Sequence, residues 1–134
     1  MEKSSLFLTR LKKRRQFLKA THNGKKFVSS TMILQVVKQS EVEGVRLGFT
    51  VTKKMGNAVV RNRIRRRLRA VAQKIFLDHA LSGYDYVLIA RKAAFSEPFE
   101  ILNRDLSYLL RQFKKTLLEQ KENFIEEMNE DVNV

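Results

Sequence analysis

Apolar residues recur along this chain with two different periods, and each period predicts an element. Val60, Ile64, Leu68, Val71 and Ile75 fall three or four residues apart, the spacing of one helical face. Gly56-Asn57 precedes this stripe and Gly83 follows it, which predicts a helix running to around His79. Leu102, Leu106, Leu109, Leu110, Phe113 and Leu117 repeat the same spacing and predict a last helix opened by Ser96 and Pro98. Between Arg46 and Thr52 the period is two instead, with Leu47, Phe49 and Val51 on one face and Gly48, Thr50 and Thr52 on the other. The stretch from Phe27 to Lys38 is rich in Val, Ile and Leu and reads as a long strand with an interruption at Ser29-Ser30. Glu41 to Gly44 makes the turn that follows. Tyr84 to Arg91 is nearly all apolar in its second half, as suits a strand inside a sheet.

One further helix is predicted from Arg10 to Thr21, capped by Thr9 and stopped by Asn23-Gly24. It has few apolar positions (Leu11, Phe17 and Leu18), so it belongs at the sheet margin, with Phe17 reaching over the open face. The summed order is α-β-β-(β)-α-β-α, an α+β fold in which helices pack on one face of a small mixed sheet.

A chain of 134 residues fits one domain with a real core. That domain is expected over residues 1–118. After Leu118 the composition inverts, with six acidic residues and one Lys in 119–134, which predicts a flexible, solubilising tail. There is no Cys, and His22 and His79 lie far apart, so both read as surface residues and no metal site is expected. No uncharged segment is long enough to span a membrane, and the first residues are too few for a signal-peptide core. The expected location is cytoplasmic.

Charge sharpens this picture. A net charge of +13 and a pI near 10.3 point to nucleic acid, with anionic membrane as the rival partner. Eight of the seventeen residues from Lys53 to Arg69 are basic and none is acidic. No Glu or Asp stands four residues from any of these arginines to neutralise it, as ordinary surface helices arrange. Arg61, Arg65, Arg69, Asn62 and Arg66 step around one flank of the apolar stripe, while Arg63 and Arg67 project from the other. Gly56-Asn57 places a nest of backbone N–H groups and a helix N-terminus where both can face a phosphate. The Gly48, Thr50 and Thr52 face either meets water or leaves room for a nucleic-acid backbone to lie flat. A self-contained nuclease would need clustered carboxylates or paired histidines, and no acid occurs between Gly44 and Leu77.

The segment KKMGNAVVRNRIRRRLR from Lys53 to Arg69 resembles the signature of the bacterial ribonuclease P protein family, whose Arg-Asn-Arg falls at Arg61-Asn62-Arg63. Arg10-Leu11-Lys12-Lys13 with Phe17, Arg46-Leu47-Gly48-Phe49, and Tyr84-Asp85-Tyr86-Val87 to Ala90-Arg91 extend the resemblance over residues 9 to 115. It implies a ribosomal protein S5 domain 2-like fold with a left-handed βαβ crossover. It also implies a noncatalytic subunit that binds a catalytic RNA and helps remove the 5′ leader of precursor tRNA. No catalytic residue is then expected in the protein, Mg2+ is bound mainly by the RNA, and the protein is a monomer in a 1:1 ribonucleoprotein. The implied RNA-subunit surface is Lys53, Lys54, Arg61, Asn62, Arg63, Arg65, Arg66 and Arg69. The implied leader groove is lined by Lys13, Phe17, Ile33, Gln35, Thr50 and Thr52. Thr21 and Gln35 stand where many family members carry aromatic side chains, which shifts base stacking onto Phe17. A ribosomal or RNA-chaperone protein is the alternative, since charge and fold alone fit it equally well.

Overall fold

A computed structural model describes residues 8–10, 24–38 and 44–132. Five strands, β1 (Leu8–Arg10), β2 (Lys25–Val28), β3 (Met32–Lys38), β4 (Val45–Thr50) and β5 (Tyr84–Ala90), form one sheet in the order β1-β4-β5-β3-β2. Helix α1 (Ala58–His79) connects β4 to β5, and α2 (Phe99–Val132) follows β5. Strands β1 and β5 flank β4 in parallel, whereas β3 pairs antiparallel with both β2 and β5. The sheet is therefore mixed, as the sequence predicts.

Both helices cover the same face, α1 over β4 and β5 and α2 over β2 and β3. The apolar stripe of α1 is the reason: Ile64, Leu68, Val71 and Phe76 are buried, and Val60 and Ile75 pack against them in part. The α2 stripe buries Leu102, Leu106, Leu109, Leu110 and Phe113 in the same core. Edge-to-face ring contacts join Phe76 to Tyr86, and Tyr86 and Tyr84 to Phe113. The Tyr86 hydroxyl accepts from the Leu81 amide at 2.8 Å, and burial pushes its pKa upward. Truncating a core leucine such as Leu68 or Leu106 would cost about 2–5 kcal/mol.

Two polar ties hold the layers in register. Arg46 and Asp85 are direct cross-strand partners and form a two-pronged ion pair at 2.6 and 2.8 Å on the face opposite the helices. On α2, buried Asp105 accepts from the Thr31 hydroxyl at 2.6 Å, the Thr31 amide and the Ser30 hydroxyl, pinning the β2–β3 turn to the helix.

Three expectations change. The long strand from Phe27 is a hairpin broken at Ser29-Ser30, where the Ser29 amide and hydroxyl both donate to the Met32 carbonyl. Thr9 and Arg10, expected as helix cap and first helical residue, lie in β1, because an extended edge alongside β4 gives their backbone ladder partners. The remainder of that helix, with Lys13, Phe17 and Thr21, falls outside the described residues. The acidic tail is helical as far as Val132, since nothing in its composition breaks the turn begun by α2.

Candidate nucleic-acid interface

The entry to α1 is built by two residues. Gly56 adopts φ +144, and a Cβ there would stand 3.0 Å from Val60, so only glycine lets the 3-10 turn Lys53–Met55 run directly into the helix. Asn57 is the N-cap, its side-chain oxygen accepting from the Val60 amide at 3.0 Å. That amide, counted among those expected to face a phosphate, is thus already taken. Lys53 and Lys54 stand exposed just ahead of the helix.

Beyond the cap, α1 presents its arginines on two flanks. Asn62, Arg65, Arg66 and Arg69, with Val59, line an open groove of about 480 Å³ that contains no acidic side chain. Its geometry is partly preset. Arg65 donates to the Asn62 side-chain oxygen at 3.1 Å, and the Arg69 guanidinium lies 6.0 Å from the Phe49 ring centroid. Arg61 is half-buried beside them, its Nε without a hydrogen-bond partner among the described residues. Guanidinium forks held at helical spacing over a concave surface suit the bidentate recognition of phosphate oxygens.

Arg63 and Arg67 turn the other way. Arg67 donates from Nε to the Ala94 carbonyl at 2.9 Å and from its terminal nitrogen to the Glu97 carbonyl, while its guanidinium covers the Phe99 ring at 4.6 Å. Burial, and then the neighbouring Arg63 charge, lower its pKa. Arg63 stacks over Phe95 at 5.2 Å but stays exposed. The structure therefore separates Arg63 from the groove lined by Arg65, Arg66 and Arg69.

On the face of the sheet opposite the helices, strand register brings part of the second nominated set together. Ile33, Ile89 and Thr50 form one cross-strand row, and Gln35, Val87 and Gly48 the next. Gln35 is only 2% exposed, so it forms part of the floor instead of offering a free amide. Gly48 is buried as well, Thr50 is half-buried and Thr52 is exposed past the strand end. The small-residue face is thus partly covered, not fully open to water. Lys13 and Phe17 lie outside the described residues.

Sequence reasoning did not single out Lys92. With Ser30, Met55 and Arg91 it borders a second open depression of about 350 Å³, and Arg91 donates to the Ser29 carbonyl at 2.9 Å. The available signal was a pair of cations directly after a buried strand. Among the described residues no group of three or more His, Cys, Asp or Glu side chains is placed to hold a metal ion. Asp85 and Asp105 are both committed to protein partners.

Comparison with known proteins finds relatives over most of the chain. The family model for Ribonuclease P matches residues 8–114. The ribonuclease P protein component of Gluconacetobacter diazotrophicus is 46% identical over 103 residues, covering 77% of this chain and 89% of its own. The solved RNase P protein of Staphylococcus aureus superposes with a TM-score of 0.68 at 30% identity, over 78% of this chain and 94% of that one. That of Thermotoga maritima gives 0.67 at 28% identity, over 77% and 96%.

Proposed function

The chain belongs to the ribonuclease P protein family, and on that premise we propose that it is the protein subunit of a ribonuclease P that generates the mature 5′ end of tRNA. The carrying observation is the acid-free arginine groove on α1. It offers an RNA partner a fixed array of phosphate contacts, and it offers a substrate no acid or base to be cleaved by.

The partners in this reading are a catalytic RNA subunit and precursor tRNA. Asn62, Arg65, Arg66 and Arg69, extended by Arg61 and by Lys53 and Lys54, hold the RNA subunit. Each contact neutralises phosphate repulsion and releases counterions, so affinity falls steeply with salt. Arg63 can contribute from the adjoining flank only by leaving Phe95. The sheet face of Ile33, Gln35, Thr50 and Thr52, completed by Lys13 and Phe17, holds the 5′ leader. Its role is positional, with Gln35 shaping the floor under the strand.

Hydrolysis belongs to the RNA partner, which also holds the Mg2+ ions. In support of this reading, the two buried carboxylates, Asp85 and Asp105, are already bound to Arg46 and Thr31. Among the described residues no helix is long and apolar enough to cross a membrane, in keeping with action in the cytoplasm. A ribosomal or chaperone role is not favoured, since family membership extends over most of the chain.

Reconstitution tests the proposal. Protein added to the cognate RNA at low magnesium should stimulate formation of the mature 5′ end on precursor tRNA. Absence of stimulation with folded components would overturn it, as would cleavage by the protein alone.

A further inference from the structure

The segment beyond Leu117 lies past the family match and has a surface of its own. Leu118, Phe124, Ile125 and Met128 are 60%, 62%, 56% and 52% exposed, four large apolar side chains close together on one stretch of helix. Phe124, Ile125 and Met128 recur at helical spacing along one side of α2. Glu119, Glu122, Glu126 and Glu127 are exposed around them. The helix also ends with no basic residue in its last turn, so its acids oppose the helix dipole. The extension is carried as helix by propagation from α2, without favourable end charges of its own. Its apolar side calls for a cover.

The chain carries a matching receptor. Between the extension and the β2–β3 side of the sheet runs an open, mainly apolar groove of about 550 Å³. Tyr84, Phe113 and Leu117 line it, Lys25 and Lys38 supply cations, and Phe124 and Ile125 of the extension form a wall. An apolar trough with a basic rim complements an apolar stripe with acidic borders. Both surfaces belong to one chain, so a two-fold axis satisfies both at once.

We infer that two copies of the chain associate through this face, the extension of each lying antiparallel in the groove of the other. Phe124, Ile125 and Met128 enter the partner's groove, and Glu122, Glu126 and Glu127 approach the cations at its rim. The arginine groove of α1 is outside this contact, because α1 lies over β4 and β5 while the receptor sits beside β2 and β3. This revises the monomer expected from sequence, and it stands independently of the RNA reading.

The test uses the full chain without RNA. Light scattering or sedimentation at tens of micromolar should give twice the 15.7 kDa chain mass at moderate salt, falling toward the monomer as salt is raised. Phe124→Glu with Ile125→Glu should give a monomer whose melting transition for the body is unchanged, because both side chains are exposed. Lys38→Glu should weaken the dimer, and adding Glu126→Lys to it should restore part of the loss. The chain has no cysteine, so Ile125→Cys alone should cross-link copies on mild oxidation, while a cysteine at exposed Asn62 should not. A wild-type protein that stays at monomer mass, or a dimer that survives the double glutamate substitution, would overturn the proposal.

Discussion

The two flanks of α1 carry the same side chain for opposite purposes. On one, Arg67 is anchored to the Ala94 and Glu97 carbonyls and to Phe99, and holds the β5–α2 connection against the helix. On the other, Arg65, Arg66 and Arg69 border a groove with no carboxylate in it. All four lie within five residues of sequence, so local charge density does not distinguish them. The difference is what the tertiary structure sets opposite each flank: backbone carbonyls and aromatic rings on one side, open space on the other. An arginine whose donors are filled from within the protein stabilises the fold, and one whose donors remain available can bind.

The strongest way to break this comparison is to remove the open flank. Arg65→Ala, Arg66→Ala and Arg69→Ala together should lower affinity for the RNA subunit by roughly a hundredfold to a thousandfold. The slope of log affinity against log salt should fall by about 2–3 units, with thermal stability unchanged. A titration series over salt reads both. An unchanged slope would remove the groove from the interface.

Arg67→Ala should do the reverse. Losing two charge-assisted hydrogen bonds and the cover of Phe99 should cost about 2–3 kcal/mol, seen as a drop of several degrees in melting temperature. The salt slope for RNA binding should hold. Arg67→Lys should not restore stability, because a single ammonium cannot reproduce the fork to two carbonyls. If this variant instead lost RNA affinity while keeping its stability, the division between flanks would be wrong.

Arg63 sharpens the boundary. Its contact with Phe95 is exposed, so Arg63→Ala should change stability by less than about 1 kcal/mol. Any RNA effect above a fewfold would place this residue with the open flank.

The smallest effect concerns the acid range and serves as a control distant from both flanks. Burial alone would raise the Asp105 pKa, but hydrogen bonds from the Thr31 and Ser30 hydroxyls and the Thr31 amide, with the Arg104 charge, hold it below the usual aspartate value. A carboxyl whose folded pKa lies below its unfolded one contributes stability above the unfolded value, and that contribution is lost as pH falls through the folded value. Denaturant unfolding across pH 2 to 6 should show Asp105→Asn flattening that acid limb without altering the salt dependence of RNA binding.

Much of the fold was legible because it rests on periodicity. The α1 and α2 stripes named their buried residues, and the alternation from Arg46 placed Leu47 and Val51 in the core. The β2–β3 hairpin was less clear, since a strand and its antiparallel partner have similar composition and only Ser29-Ser30 marked the break. Strand β1 was missed: three residues beside a run of lysines and arginines carry no pattern of their own, and pairing with β4 defines them. In the site, the nominated arginines do not form one surface, since Arg63 turns toward Phe95 and away from the groove lined by Arg65, Arg66 and Arg69. Gln35 was nominated as a groove residue, yet it is buried in the middle of the sheet between Lys26 and Val87, a placement that its own sequence context does not contain.

By itself the sequence determined a basic helix with no acid before its last turn and one apolar face, because charge and helical period are properties of the string. Which arginines remain free to bind, and which are spent on the fold, was decided only when Ala94, Glu97, Phe95 and Phe99 were brought beside α1 from about thirty residues away. Helical spacing fixes the direction in which a side chain leaves its helix, and long-range packing fixes what it meets there.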